Sequence, residues 1–142
     1  MKTETPVSAL SKAHSVLLRD LRGLGRFVQP EAYASIAELR SRLATTHTDV
    51  CEHFRLEEQG GYMDNMQMRE PRLERTIAKL AAEHQELREA LEEIRNEAAA
   101  ARDIDDVLRY KVRTWIDRLL QHEQHENDVV QDAVDSDFGA AD

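Results

Sequence analysis

The stretch LERTIAKLAAEHQELREALEEIRNEA, residues 73–98, decides the fold. Leu73, Ile77, Leu80, Leu87, Leu91, Ile94 and Ala98 recur at steps of three and four, and His84 fills the one missing step. That is the period of an amphipathic helix with a single buried stripe, the kind of seam packed in helix bundles. Glu83, Glu86, Glu89, Glu92 and Glu93, with Arg88 and Arg95 among them, lie off the stripe and form a solvated face. Pro71 stands where such a helix starts.

Three further stretches read the same way. Thr5-Pro6 opens a helix whose seam is Leu10, His14, Leu17, Leu21, Leu24 and Val28, closed by Gln29-Pro30. Ile36, Leu39, Leu43, Thr46, Val50, His53 and Glu57 form a second seam, stopped by Gly60-Gly61. Ile104, Leu108, Val112, Trp115, Leu119, His122, Glu126, Val129 and Ala133 form the last. Asp103, with Asp106 three residues on, reads as its N-cap. The sequence therefore predicts helices over Pro6–Val28, Ile36–Gln59, Pro71–Ala99 and Asp103–Val134. Tyr62–Glu70 has no clean period and reads as a connection in which Met63, Met66 and Met68 fill gaps over the bundle end. Asp135–Asp142 reads as a short, frayed acidic tail. The fold class is all-α: one domain over residues 1–142, with a core of about 6–134, built as an antiparallel up-down-up-down four-helix bundle.

Composition agrees. The 142 residues include only 5 Gly and 3 Pro, too few for the frequent turns of a sandwich or barrel. A net charge of -9 argues against tracking nucleic-acid phosphates and against anionic membrane surfaces. Cys51 is the sole cysteine, so the chain can close no internal disulfide and build no thiolate cluster. With no apolar run of membrane-spanning length and no leader pattern, a reducing cytoplasm is the expected compartment.

Six seam positions are polar: His14, His53, Glu57, His84, His122 and Glu126. An ionised glutamate in a core costs several kcal/mol unless it is paired. The spacing offers a reason for keeping these. His53 and Glu57 are one turn apart on one helix face, and His122 and Glu126 repeat the arrangement. His14 and His84 precede those pairs by nearly equal lengths of chain. The sequence thus resembles two related helix pairs whose polar groups meet at one level of the bundle. Imidazoles and carboxylates together suit iron, manganese or zinc, and two carboxylates able to bridge suggest two ions. His47 and His125 lie off the seams, and Glu58 reads as a flanking acceptor with a ligand role open beside Glu57.

The order His, His-x-x-x-Glu, His, His-x-x-x-Glu resembles that of the hemerythrin-like (HHE cation-binding) family. His53-Phe54 with Glu57-Glu58, and Glu83-His84 with Leu87, are similar to the family's local strings. The resemblance spans roughly His14 to Val130. It implies a four-helix bundle around a non-haem di-iron centre, two Fe ions with an oxo or hydroxo bridge, held by His14, His53, Glu57, His84, His122 and Glu126. It implies dioxygen, peroxide or nitric oxide as the small ligand. Iron, oxygen or nitric-oxide sensing without catalysis is the alternative role. The oxygen carriers have a second histidine one turn along the third helix, where this chain has Arg88, and end in His-x-x-x-x-Asp, where this chain has His122-x-x-x-Glu126. The chain is more similar to shorter-pattern members with catalase-like, hydrogen-peroxide-decomposing activity. One histidine fewer leaves about one open coordination position on each ion, which favours redox turnover over storage of oxygen. Tyr62 or Tyr110 could fill one of them. Arg88 cannot ligate; it either pairs with an outer carboxylate or lines the approach to the ions.

Overall fold

Ser35 starts the second helix: its Oγ accepts from the Glu38 amide at 3.1 Å and its carbonyl from the Leu39 amide at 3.1 Å. Around it, the computed structural model describes residues 6–59 and 62–140. The helices are α1 (Pro6–Phe27), α2 (Ile36–Gln59), α3 (Tyr62–Arg69), α4 (Glu74–Ala100) and α5 (Asp106–Ala140). Among the described residues there is no strand. Thr5, Gly60, Gly61 and the last two tail residues lie outside them, as do the side chains of Leu10 and Tyr62.

Neighbouring long helices run antiparallel. On α1 and α2, His14 lies beside His53 and Phe27 beside Arg42. On α2 and α4, Arg40 lies beside Ala98, His47 beside Glu92 and Phe54 beside His84. On α4 and α5, Arg72, just ahead of α4, pairs with Asp132, and Leu87 accepts from Trp115. On α5 and α1, Glu123 meets His14 and Ile116 approaches Gly25. The up-down-up-down bundle follows.

Four local expectations need correction. Tyr62–Arg69 is a short helix rather than an irregular connection. It buries Met63, half-buries Met66 and leaves Met68 exposed, so the gap-filling falls to the first two alone. Pro71–Leu73 forms a separate 3-10 turn, and α4 proper begins at Glu74. The cap of α5 is Asp105, not Asp103: its Oδ1 accepts from the Leu108 amide at 2.8 Å and its carbonyl from the Arg109 amide at 3.0 Å. Finally, α5 continues to Ala140, through most of the expected frayed tail. Asp105→Ala should therefore cost about 1 kcal/mol of stability, and Asp103→Ala almost nothing. A urea titration of both variants checks this, and equal losses would return the cap to Asp103.

The core falls into two apolar clusters. The larger holds Leu17, Leu24, Leu43, Phe54, Leu91 and Trp115 among others, with Trp115 Nε1 donating to the Leu87 carbonyl at 2.9 Å. The smaller holds Met63, Leu73, Ile77, Leu80, Val129 and Ala133. Between the two lies a polar layer.

Candidate metal centre

The four long helices each project side chains into that layer, because the seam of each reaches a polar position at the same height. His53, Glu57, His84, His122 and Glu126 are buried, and His14 is half-buried at the edge. All six positions read from the sequence meet there. Their contacts link through shared carboxylates. Glu57 lies 2.6 Å from His53 Nε2 and 3.2 Å from His84 Nε2. Glu126 lies 3.2 Å from His84 Nε2 and also against His122 Nε2. Glu57 thus stands between imidazoles from different helix pairs, and Glu126 between the two imidazoles of its own pair.

A seventh residue joins them. Glu123 is 5% exposed and meets His14 Nδ1 at 3.0 Å and His53 Nε2 at 3.0 Å. Reading one stripe per helix passes over it, since it adjoins His122. The signal was Ile116, which is also buried and lies seven residues earlier on the α1-facing side of α5.

Outside the layer, carboxylates hold the histidines. Glu58 accepts from His84 Nδ1 at 2.9 Å and from Arg88 Nη2 at 3.4 Å. Arg88 therefore pairs with an outer carboxylate, and its guanidinium lies 5.6 Å from the centre of the Phe54 ring. Glu83 lies 3.8 Å from His122 Nδ1. Carboxylates on the far nitrogen fix ring orientation in metal-binding histidines. His47 bonds Cys51 at 3.7 Å, away from the layer, and His125 is exposed. Tyr110 is 69% exposed and is not in the layer.

Charge is shared among these groups. Burial disfavours protonated His53, but Glu123 and Glu57 outweigh it and push its pKa up to about 10. Burial likewise opposes protonation of His84, and Glu126, Glu57 and Glu58 outweigh it, again to about 10. Glu57 is driven the other way: burial would raise it, but hydrogen bonds from His53 and His84 hold it down to about 2. The carboxyl of Glu123 is also held low, by His14 and His53 against the opposing effect of burial.

The donors fit a cation. Glu57 Oε2, Glu123 Oε1 and His122 Nε2 are buried and make no hydrogen bond among the described residues. Each has an oppositely charged or ionisable neighbour at ion-pair distance, so their lone pairs converge on shared space rather than on one another. Glu57, His84, His122 and Glu126 offer ligand atoms within 4.8 Å of one another, as do His53, Glu57, Glu123 and Glu126, and His14, His53 and Glu123.

The family model described as Hemerythrin HHE cation binding domain matches residues 5–134. The chain belongs to the hemerythrin HHE cation-binding domain family. No curated protein and no solved structure matches it. As a member of that family the chain is a cation-binding helical bundle, and its buried His/Glu layer is the part of the hemerythrin fold suited to hold metal. Among the described residues no helix is long and apolar enough to cross a membrane.

Proposed function

We propose that this hemerythrin-domain protein is a non-haem di-iron protein that binds dioxygen or its reduced products in the core, with decomposition of hydrogen peroxide as its reaction. The ligands in this reading are His14, His53, Glu57, His84, His122 and Glu126, with Glu57 and Glu126 shared between two ions. The observation that carries it is the placement of two buried carboxylates at the junction of both ends of the layer: Glu57 links His53 to His84 of the other helix pair, and Glu57 and Glu126 both offer ligand atoms within 4.8 Å of the His84–His122 group and of the His53–Glu123 group. One carboxylate serving two imidazole sets is what a pair of neighbouring ions requires, and it removes the cost of burying Glu57 and Glu126.

Two irons, when bound, supply the two-electron redox capacity that converts two peroxide molecules to water and dioxygen. The chain's own residues set the conditions. Phe54 stacks on His84, ring centres 3.9 Å apart, and excludes water from that side. Glu58 holds His84 by its outer nitrogen, and Arg88 holds Glu58. His14, with a side chain 30% exposed, marks the edge nearest solvent.

The test is iron analysis of protein expressed aerobically with iron, together with oxygen evolution from added hydrogen peroxide. Two irons per chain and sustained oxygen evolution are expected. Fewer than about one iron per chain would overturn the di-iron reading. Two irons without oxygen evolution would overturn the reaction while leaving the centre.

A further inference from the structure

The two helix pairs repeat the order His, His-x-x-x-Glu, but the residue after the second histidine differs: Phe54 in one pair, Glu123 in the other. Both occupy the same structural slot. Phe54 packs on the lone histidine of the opposite pair, His84, with the rings 10° from parallel. Glu123 meets the lone histidine of its opposite pair, His14, at 3.0 Å. One end of the layer is thus closed by an aromatic face and the other by a carboxylate.

We propose that Glu123 is a seventh metal ligand serving only the His14–His53 end, so that the two ends of the centre bind cations unequally. The inference rests on the di-iron reading above and extends it to an asymmetry that the six-residue pattern lacks.

The nitrogen that Glu123 meets on His53 separates ligation from mere orientation. A carboxylate that only orients a ligating histidine takes its outer nitrogen, as Glu58 takes Nδ1 of His84. Glu123 meets Nε2 of His53, the same nitrogen that faces Glu57. The outer nitrogen, Nδ1, is buried and makes no hydrogen bond among the described residues. On His14, Glu123 meets Nδ1 through Oε2 at 3.0 Å, so it both steadies His14 and stands with the inward-facing donors beside His53. Its Oε2 takes the hydrogen bonds from His14 and His53, while its Oε1, 3.0 Å from His53 Nε2, makes no hydrogen bond and keeps a lone pair for a cation. A third carboxylate buried beside Glu57 and Glu126 is costly unless its charge is met, and once the imidazoles are neutral, as ligation requires, a cation is what meets it.

The donor sets then differ. The His14–His53 end has two imidazoles, a carboxylate of its own and the shared pair Glu57 and Glu126. The His84–His122 end has two imidazoles and the shared pair alone, under Phe54. The extra oxygen donor and negative charge make the first end the tighter one for an oxygen-preferring cation. The second end keeps more of the open coordination that an exogenous ligand needs.

The experiment is anaerobic titration of Co(II) into the full chain after chelator treatment, followed by calorimetry and visible absorption. Wild type should show two resolved binding steps with different spectra. In Glu123→Gln, which keeps the shape and one oxygen acceptor but loses the charge, one step should weaken by about 100-fold or more, beyond the usual effect of an outer partner. The other step should hold within about three-fold. Glu123→Asp should recover part of the lost affinity. Mössbauer spectra of iron-loaded wild type give a reading that needs no variant: two distinct iron signals in equal amounts are expected. Two steps of unchanged affinity and unchanged spectra in Glu123→Gln, or a single iron signal in wild type, would overturn the inference and leave the di-iron reading intact. Wild type that takes up no second cation would overturn that reading instead.

Discussion

Glu57→Ala should yield a chain that retains at most one iron and melts far below wild type. Glu57 lies between His53 and His84, each within 3.2 Å and all three at most 2% exposed. Removing the carboxylate leaves two buried imidazoles without their shared partner and opens a void in the layer. Loss of one member of a buried ionic set costs about 3–5 kcal/mol, on the order of a 10 °C drop in melting temperature for a domain of this size. Metal loss adds to this, because a cation that binds only the folded chain stabilises it. Glu58→Ala is the control. It removes an orienting partner of His84 that is itself a third exposed, so it should weaken metal binding while lowering stability much less. Iron content and thermal melts of the two variants suffice. If Glu57→Ala keeps two irons and the wild-type melting temperature, the shared carboxylate is not the link between the ions.

The second large effect is on the pH dependence of the chelator-treated chain. Glu57 has a pKa of about 2 in the folded protein against an ordinary 4.5. A lowered carboxyl contributes stability above its unfolded value and loses it as pH falls through the folded one. His53 and His84 are raised from 6.5 to about 10. A raised imidazole contributes fully below its unfolded value and loses that contribution as pH rises through the folded one. The two windows overlap between pH 4.5 and 6.5. Stability should be greatest there and fall on both flanks, by on the order of 5 kcal/mol by pH 10. Bound metal takes neutral imidazole, so loading should flatten the alkaline flank. Urea titrations across the pH range, with and without metal, decide it. A chelator-treated chain that gains stability from pH 6.5 to 9 would contradict the assignment of charge within the layer.

The long helices and the six-residue set were legible because each depends on spacing alone. A period near 3.6 places a stripe, and a histidine followed four residues later by a glutamate places both on that stripe. The misses have local physical causes. The eight-residue α3 is too short to display a period, and only Met63 and Met66, three apart, betray its inward side. Asp103 and Asp105 are chemically equal caps, and the choice falls to the tertiary contacts that bury Leu108 and so fix where α5 begins. Glu123 was missed because a bundle helix buries more than one stripe. On α5, Trp115, Leu119 and His122 follow one line, while Ile116 and Glu123 follow a second. Its environment, set by residues distant in sequence, is what distinguishes it from the many solvated glutamates.

The division of the core into two apolar clusters has a consequence for how the chain is lost as well as how it works. The smaller cluster is assembled from α3, the start of α4 and the late turns of α5. Its six buried side chains adjoin the rest of the core through groups that repel, attract and titrate, not through apolar contact. The polar layer is therefore a seam of low cooperativity, along which one end of the bundle can open while the other stays folded. A cation held in the layer would tie the two ends together, so chelation is expected to loosen α3 and the turns of α5 around Val129 first. Amide exchange should therefore be faster in α3 than in the larger cluster once metal is removed.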